Sequence, residues 1–187
     1  MKIPRLLFVY VPIVFMVFLA SGIFLSTGKV CFFLSGFAVD GVGDVYIGTN
    51  QEIEVYRENE KVRSISPRTS RGYAFDIQDD CLVISTGINV YTTDLEGHML
   101  SEGKDNDTEI FNKLKRYSKT CQDRDGNVYV LKEHMGRYTV MKNETDIVYR
   151  MPLLDIVLKY LCISAFISLF VFVPIIVIKW KSINKLR

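Results

Sequence analysis

The stretch that decides the fold is Asp123-Arg124-Asp125-Gly126-Asn127-Val128-Tyr129-Val130. An aspartate that can bond backbone amides, followed within three residues by a glycine free to turn left-handed, ends one extended run and starts another. The residues on either side alternate as β-strands do. The pattern therefore reads as a tight hairpin, and its value lies in recurring.

Two further passages align with it without gaps. They are Asp40-Gly41-Val42-Gly43-Asp44-Val45-Tyr46-Ile47 and Asp76-Ile77-Gln78-Asp79-Asp80-Cys81-Leu82-Val83. Asp40, Asp76 and Asp123 each stand six residues before Tyr46, Leu82 and Tyr129, with Gly43 and Gly126 at the left-handed positions of the first and third copies. Each passage is followed by two more short apolar runs, separated by the turns Arg57-Glu58-Asn59-Glu60, Asp94-Leu95-Glu96-Gly97 and Lys142-Asn143-Glu144-Thr145. Three units of four strands result, over about 36–66, 72–101 and 119–150. The unit spacings are 36 and 47 residues. The longer one makes room for a short amphipathic helix over about 106–117, with Ile110, Phe111, Leu114 and Tyr117 on one face.

Four-stranded units of roughly 40 residues are the sequence mark of propeller blades. The Asp-x-x-Gly-x-x-Tyr hairpins of residues 123–130 and 40–47 resemble the first hairpin of NHL-type and related β-propeller repeats, over about residues 36 to 150. The resemblance implies a mainly β ectodomain of three propeller-like units serving as a recognition platform, although some families of this kind hold metal-dependent hydrolases. Propellers close with about 4 to 8 blades, and three leave open edges that invite pairing. Two solutions stay open: a homodimer joining three and three into one ring, or juxtamembrane strands such as Val30–Leu34 capping the edges of a wedge or small sandwich.

Working outward, the repeat is bracketed by apolar segments. Leu6 to Gly28 is 23 consecutive uncharged residues and Tyr160 to Ile178 is 19; about 20 helical residues cross a hydrocarbon core. These predict transmembrane helices over 6–28 and 153–178, the second starting near Pro152 with Asp155 and Lys159 one turn apart on one face. Whether the first is retained or cleaved after Ala20-Ser21-Gly22 is open. Six basic residues (Lys2, Arg5, Lys179, Lys181, Lys185, Arg187) lie on one side of the spans against three on the other, which places both termini, 1–5 and 179–187, in the cytoplasm. Residues 29–152 are then extracytoplasmic. Gly22 and Ser26 in the first span and Ser164 and Ser168 in the second match in depth and are candidates for close helix packing.

Charge follows the same division. Residues 29 to 155 carry 16 basic and 21 acidic side chains, and the ends carry seven basic ones alone. An acidic domain excludes nucleic acid as a partner. The implied partners are the lipid bilayer and either a second copy or a larger membrane complex. A cytoplasmic tail of nine residues holds no enzyme.

Catalytic signatures are absent from the sequence: there is no nucleophile elbow, metalloprotease helix or phosphate loop, and the two histidines, His98 and His134, are 36 residues apart. Asp123 and Asp125 resemble the start of a calcium loop, but a strand begins at Val128, so no cofactor or metal is assigned. Cys81 and Cys121 fall on the oxidising side and are candidates for a disulfide. The leading expectation is a non-enzymatic recognition or assembly subunit. The alternatives are an accessory subunit of a transporter or secretion complex docking through its spans, and an extracytoplasmic hydrolase or lyase.

Overall fold

The computed structural model describes residues 5–27, 31, 33–69, 72–105 and 108–178, with backbone alone at 5–8, 25–26 and 172. Two compact units divide the chain: the terminal segments form one, and Phe33–Pro152 forms the other.

The second unit is mainly β, as the repeat predicts. It holds three four-stranded antiparallel sheets, each taking its strands in chain order. Sheet one is β1 (Gly36–Val39), β2 (Val45–Gly48), β3 (Ile53–Arg57) and β4 (Glu60–Ile65). Sheet two is β5 (Ala74–Gln78), β6 (Cys81–Ser85), β7 (Asn89–Thr93) and β8 (Met99–Lys104). Sheet three is β9 (Thr120–Gln122), β10 (Val128–His134), β11 (Arg137–Lys142) and β12 (Asp146–Arg150). Each sheet has one register shift, and each time between its third and fourth strands: at Val55/Tyr56, Thr92/Thr93 and Val140/Met141. A bulge there increases local twist, so the three units share a shape that sequence alignment alone does not display.

Alternation builds the core. Tyr46, Ile53, Val55 and Ile65 of sheet one meet Tyr73, Phe75, Leu82 and Ile84 of sheet two, all at 4% exposure or less. Phe75 is held where the backbone has no side chain: a Cβ on Gly36 or on Gly48 would lie 2.6 Å from its ring. Truncating a buried phenylalanine of this kind costs about 3–5 kcal/mol. Sheet three meets sheet one through Tyr149 and Tyr56, edge to face at 5.0 Å.

The predicted helix is present as α2, Glu109–Leu114, shorter than the 106–117 expected. Asp105 replaces a side-chain cap, its carboxylate accepting the amides of Ile110 (3.0 Å) and Phe111 (2.8 Å) and the Ser85 hydroxyl (2.6 Å). Among the predicted edge caps, Val30 lies outside the described residues, and Phe33 and Leu34 are not in a strand.

In the other unit, α1 spans Arg5–Ser26 and α3 spans Leu153–Ile167, continuing through a π-helical stretch, Ser168–Phe172. The run Leu153–Ile178 is long and apolar enough to cross a membrane; the apolar part of α1 with described side chains, Val9–Phe24, is shorter. One helix, not two, thus meets that length test among the described residues. The basic tail, 179–187, lies outside them. The two helices pack through Phe18, whose ring centroid is 6.3 Å from Phe166 and 5.9 Å from Phe170.

Candidate functional site

Three hairpins share one turn. In Asp40–Asp44, Asp94–His98 and Asp123–Asn127 the first residue's amide bonds the last residue's carbonyl at 3.1, 3.0 and 3.1 Å. The glycines at the fourth position, Gly43, Gly97 and Gly126, have φ of 91°, 95° and 83°. This is a three-residue hairpin loop with glycine at the bulge. In each, the aspartate Oδ1 accepts the amide four residues on, at 2.9, 2.8 and 2.8 Å.

The six-residue Asp-to-Tyr spacing then has a physical reason. Strand alternation returns the tyrosine to the aspartate's face, where its hydroxyl donates to Oδ2: Tyr46 to Asp40 at 3.3 Å and Tyr129 to Asp123 at 3.2 Å. Both phenols are buried, and burial is the main force raising their pKa, that of Tyr46 to about 12. Burial works to raise Asp123 as well, but hydrogen bonds from Asn127 and Tyr129 outweigh it and hold the carboxyl below its ordinary value.

Asp76 does not belong to this set. It lies inside β5, its Oδ1 accepting the amide of Ile77 at 2.9 Å, and burial raises its pKa. The second unit turns instead at Asp79 and Asp80, at φ 51° and 58°. Such a two-residue loop needs no capping aspartate. The true third copy, Asp94-Leu95-Glu96-Gly97-His98, sits between β7 and β8 rather than in a first hairpin.

Five turns meet at one end of the β unit. The amide of Arg124 donates to the Gly41 carbonyl at 3.2 Å, and its guanidinium reaches Asp80. Asn143 donates to Asn127 at 2.9 Å. Asp44, 1% exposed, is held by a two-pronged bond from Arg57, with Nε–Oδ1 and Nη2–Oδ2 both 2.7 Å, and Arg63 approaches it at 3.6 Å. Gly43 lets the two Asp-Tyr turns close on each other, because a Cβ there would lie 2.5 Å from the Tyr129 hydroxyl.

At this end an open cleft of about 440 Å³ runs between sheets one and three, lined by Val42, Asp44, Arg57, Tyr129, Lys142 and Asp146 among others. Lys142 Nζ stands 5.7 Å above the Tyr129 ring. The wall thus offers an exposed valine and both signs of charge, over a Tyr129 ring that is itself buried. Its buried carboxylate, Asp44, is occupied by the Arg57 guanidinium, while Glu58 and Asp146 are exposed.

The remaining expected site residues are not brought together. Asp123 is buried in its turn while Asp125 is exposed, so the two do not converge as calcium ligands. All four cysteines are free, so the candidate Cys81–Cys121 bridge is not formed. The Cys121 thiol lies among inner strands near Val39 and Asp76, where burial pushes its pKa up to about 11, while Cys81 opens β6. Among the small residues of the helices, Ser168 is buried and hydrogen-bonded to Tyr10, and Ser21 and Ala165 are buried. A Cβ on Gly22 meets nothing within 4 Å, Ser164 is exposed with its hydroxyl on the Leu161 carbonyl, and the Ser26 side chain lies outside those described. Ser168 thus lies in the helix contact, and Ser21 and Ala165, the immediate neighbours of Gly22 and Ser164, are buried in their place. A group the sequence reading missed, Asp94, Glu96 and His98, brings ligand atoms within 4.8 Å of one another on one exposed turn. Asp94 raises the His98 pKa through a 2.8 Å hydrogen bond and its charge.

No protein-family model matches the chain, and no curated protein matches it. Among solved structures it is similar to a protein of unknown function from Bacteroides caccae, with 12% identity, a TM-score of 0.34 and 64% of this chain covered. The match spans about half, 46%, of that protein's length.

Proposed function

We propose that this protein is a membrane-anchored, non-enzymatic recognition or assembly subunit. Both apolar segments, 6–28 and 153–178, cross the bilayer, both termini are cytoplasmic, and the β unit is presented on the opposite side. Its three sheets act as propeller-like blades, with a second copy or another membrane protein covering the open edges. The reading of two spans is supported by side chains that stay exposed after the helices pack, such as Ile13, Met16 and Ile23 of α1, Leu154 and Phe166 of α3, and Phe170 of the π-helical stretch that follows it. Water would penalise that much apolar surface, and lipid does not.

The observation that carries the recognition reading is the cleft beside Tyr129. Capped turns hold its walls in place, so a partner is met by a surface already in its bound shape. Its exposed Val42, Arg57 and Asp146 offer apolar contact and both charges, as protein interfaces do. Native mass spectrometry of the protein released gently from its own membrane tests this. A stoichiometric second chain, or a dimer near twice 21.5 kDa, that is lost in Val42→Arg is expected. A bare monomer, or an assembly that Val42→Arg and Asp146→Arg leave intact, refutes recognition through this cleft.

A further inference from the structure

The two ends of the β unit differ in chemistry. The five gathered turns, 40–44, 58–59, 79–80, 123–127 and 143–145, hold eight carboxylates and one cation, Arg124. The opposite end is where the chain enters and leaves: Ser35 bonds Gly48 and Thr49 beside the β2–β3 turn, and Met151 bonds Tyr138 beside the β10–β11 turn. The β6–β7 turn and α2 lie there too, since Asp105 donates to the Ile88 carbonyl and Phe111 packs against Gly87.

That end is basic and apolar. Lys104, Lys113, Lys115, Arg116, Lys119 and Arg150 are all exposed, and none is in an ion pair with another described residue. Against these six stand three exposed carboxylates among the described residues there, Glu109 in α2 and Glu102 and Glu133 near the strand ends. Phe33, Ile88 and Met135 project from it at 67%, 60% and 75% exposure. Ile88 is the telling one. The β2–β3 and β6–β7 turns are built alike, with Thr49 bonding Glu52 and Thr86 bonding Asn89, both amide to carbonyl at 2.9 Å. Where the first turn shows solvent a glutamine, Gln51, the second shows an isoleucine.

We infer that this end of the β unit lies on an anionic lipid surface, with Ile88, Met135 and Phe33 entering the interface and the six cations meeting headgroup phosphates. The inference rests on the membrane anchorage proposed above. The tether is short: β12 ends at Arg150 and α3 starts at Leu153, and a residue spans at most about 3.6 Å. If α3 crosses a bilayer, the end carrying Arg150 is therefore held at its surface. Juxtamembrane cations are attracted to anionic lipid, and apolar side chains gain by burial at the acyl boundary. The acidic far end faces away, so the field of the membrane orients the unit.

The test uses the full chain in vesicles of brominated phosphatidylcholine, with and without phosphatidylglycerol. The sole tryptophan is removed by Trp180→Phe, and single probes are introduced by Ile88→Trp, Phe33→Trp and, at the far end, Val42→Trp, all at exposed positions. Emission from Ile88→Trp and Phe33→Trp is expected to be quenched roughly twofold or more above Val42→Trp, with a larger gap when phosphatidylglycerol is present. Combining Ile88→Trp with Lys113→Glu, Lys115→Glu and Arg116→Glu should remove the phosphatidylglycerol effect. Equal quenching of Ile88→Trp and Val42→Trp in protein that resists alkaline carbonate extraction overturns the inference and leaves anchorage standing. Extraction by carbonate overturns both.

Discussion

Asp40, Asp94 and Asp123 head the same turn with the same backbone bonds, so replacing each with alanine isolates the effect of burial. At Asp40, 2% exposed, the carboxylate serves the amides of Val42 and Asp44 and the Tyr46 hydroxyl. After Asp40→Ala the Val42 amide, in an exposed residue, can turn to water, and Tyr46 keeps the Leu95 carbonyl at 3.4 Å. The Asp44 amide, in a residue 1% exposed, is orphaned. An unsatisfied buried donor, together with the lost charge-assisted bond, costs about 2–3 kcal/mol. Asp94 has a side chain 39% exposed and serves the amides of Glu96 and His98, both exposed residues. Water replaces the carboxylate there, and the loss is much smaller. At about 4 °C per kcal/mol for a domain of this size, Asp40→Ala should lower Tm by about 10 °C and Asp94→Ala by far less, with Asp123→Ala, 8% exposed, in between. Thermal melts of the detergent-solubilised chain, followed by the circular dichroism of the sheets, measure this. Equal shifts for Asp40→Ala and Asp94→Ala would refute the reasoning, since the turn and not its burial would then set the cost.

Other outcomes can be stated briefly. Gly43→Ala should be far worse than Gly126→Ala: both force alanine to a positive φ, at about 1 kcal/mol, but only at Gly43 does the new Cβ strike the Tyr129 hydroxyl, whereas at Gly126 it meets Gln122 at 3.6 Å. Denaturant midpoints compare the two. The Asp105 carboxyl is lowered by the Ser85, Phe111 and Ile110 hydrogen bonds, which outweigh its burial. The stability it contributes is therefore complete above the unfolded value, about 3.9, and lost as pH falls through the folded one. Midpoints measured from pH 5 down to 2 should fall less in Asp105→Asn than in the natural chain. The exposed His98 has the opposite sign: its raised pKa gives stability that is present below about 6.5 and lost as pH rises through the folded value, and proton NMR of the ring should titrate above an unfolded reference. Finally, iodoacetamide mass mapping at neutral pH should find Cys121 unmodified longer than Cys81, because its thiol is raised to about 11 by burial and the Asp76 charge.

The repeat was legible because hairpins write themselves into local sequence. Asp, Gly and Tyr at fixed offsets in 40–47 and 123–130 marked two turns, and apolar alternation marked the twelve strands within a few residues. The alignment of Asp76 failed because a two-residue loop replaces a three-residue one in the second unit, moving the turn to Asp79 and Asp80 while the apolar pattern beyond hardly shifts. The Asp94 turn carries no such mark, because it lies at a different hairpin where Leu100, not a tyrosine, stands six residues on. The cleft could not be read at all. Its walls come from residues 42–58 and 129–148, and what brings Tyr129 against Gly43 is the absence of a side chain, which leaves no apolar or charge signal. In the helices the small-residue pattern points to Ser168, which is buried against Tyr10, but gives no sign of the aromatic contact of Phe18 with Phe166 and Phe170.

The strictly sequential order of strands has a consequence for how the protein is made. Each sheet closes using only neighbours in the chain, which favours rapid folding for a β protein, and each can form as soon as its own thirty or so residues have emerged during synthesis. Sheet one is then complete before Phe75 exists. Until Ala74–Gln78 is translated, the slot made by Gly36 and Gly48 stands open and the inner face of the first sheet is unprotected. The interval in which the nascent chain is most exposed to misassociation is thus set by the eight residues between Ile65 and Ala74, so lengthening that connection should lower yield before it lowers the stability of the finished protein.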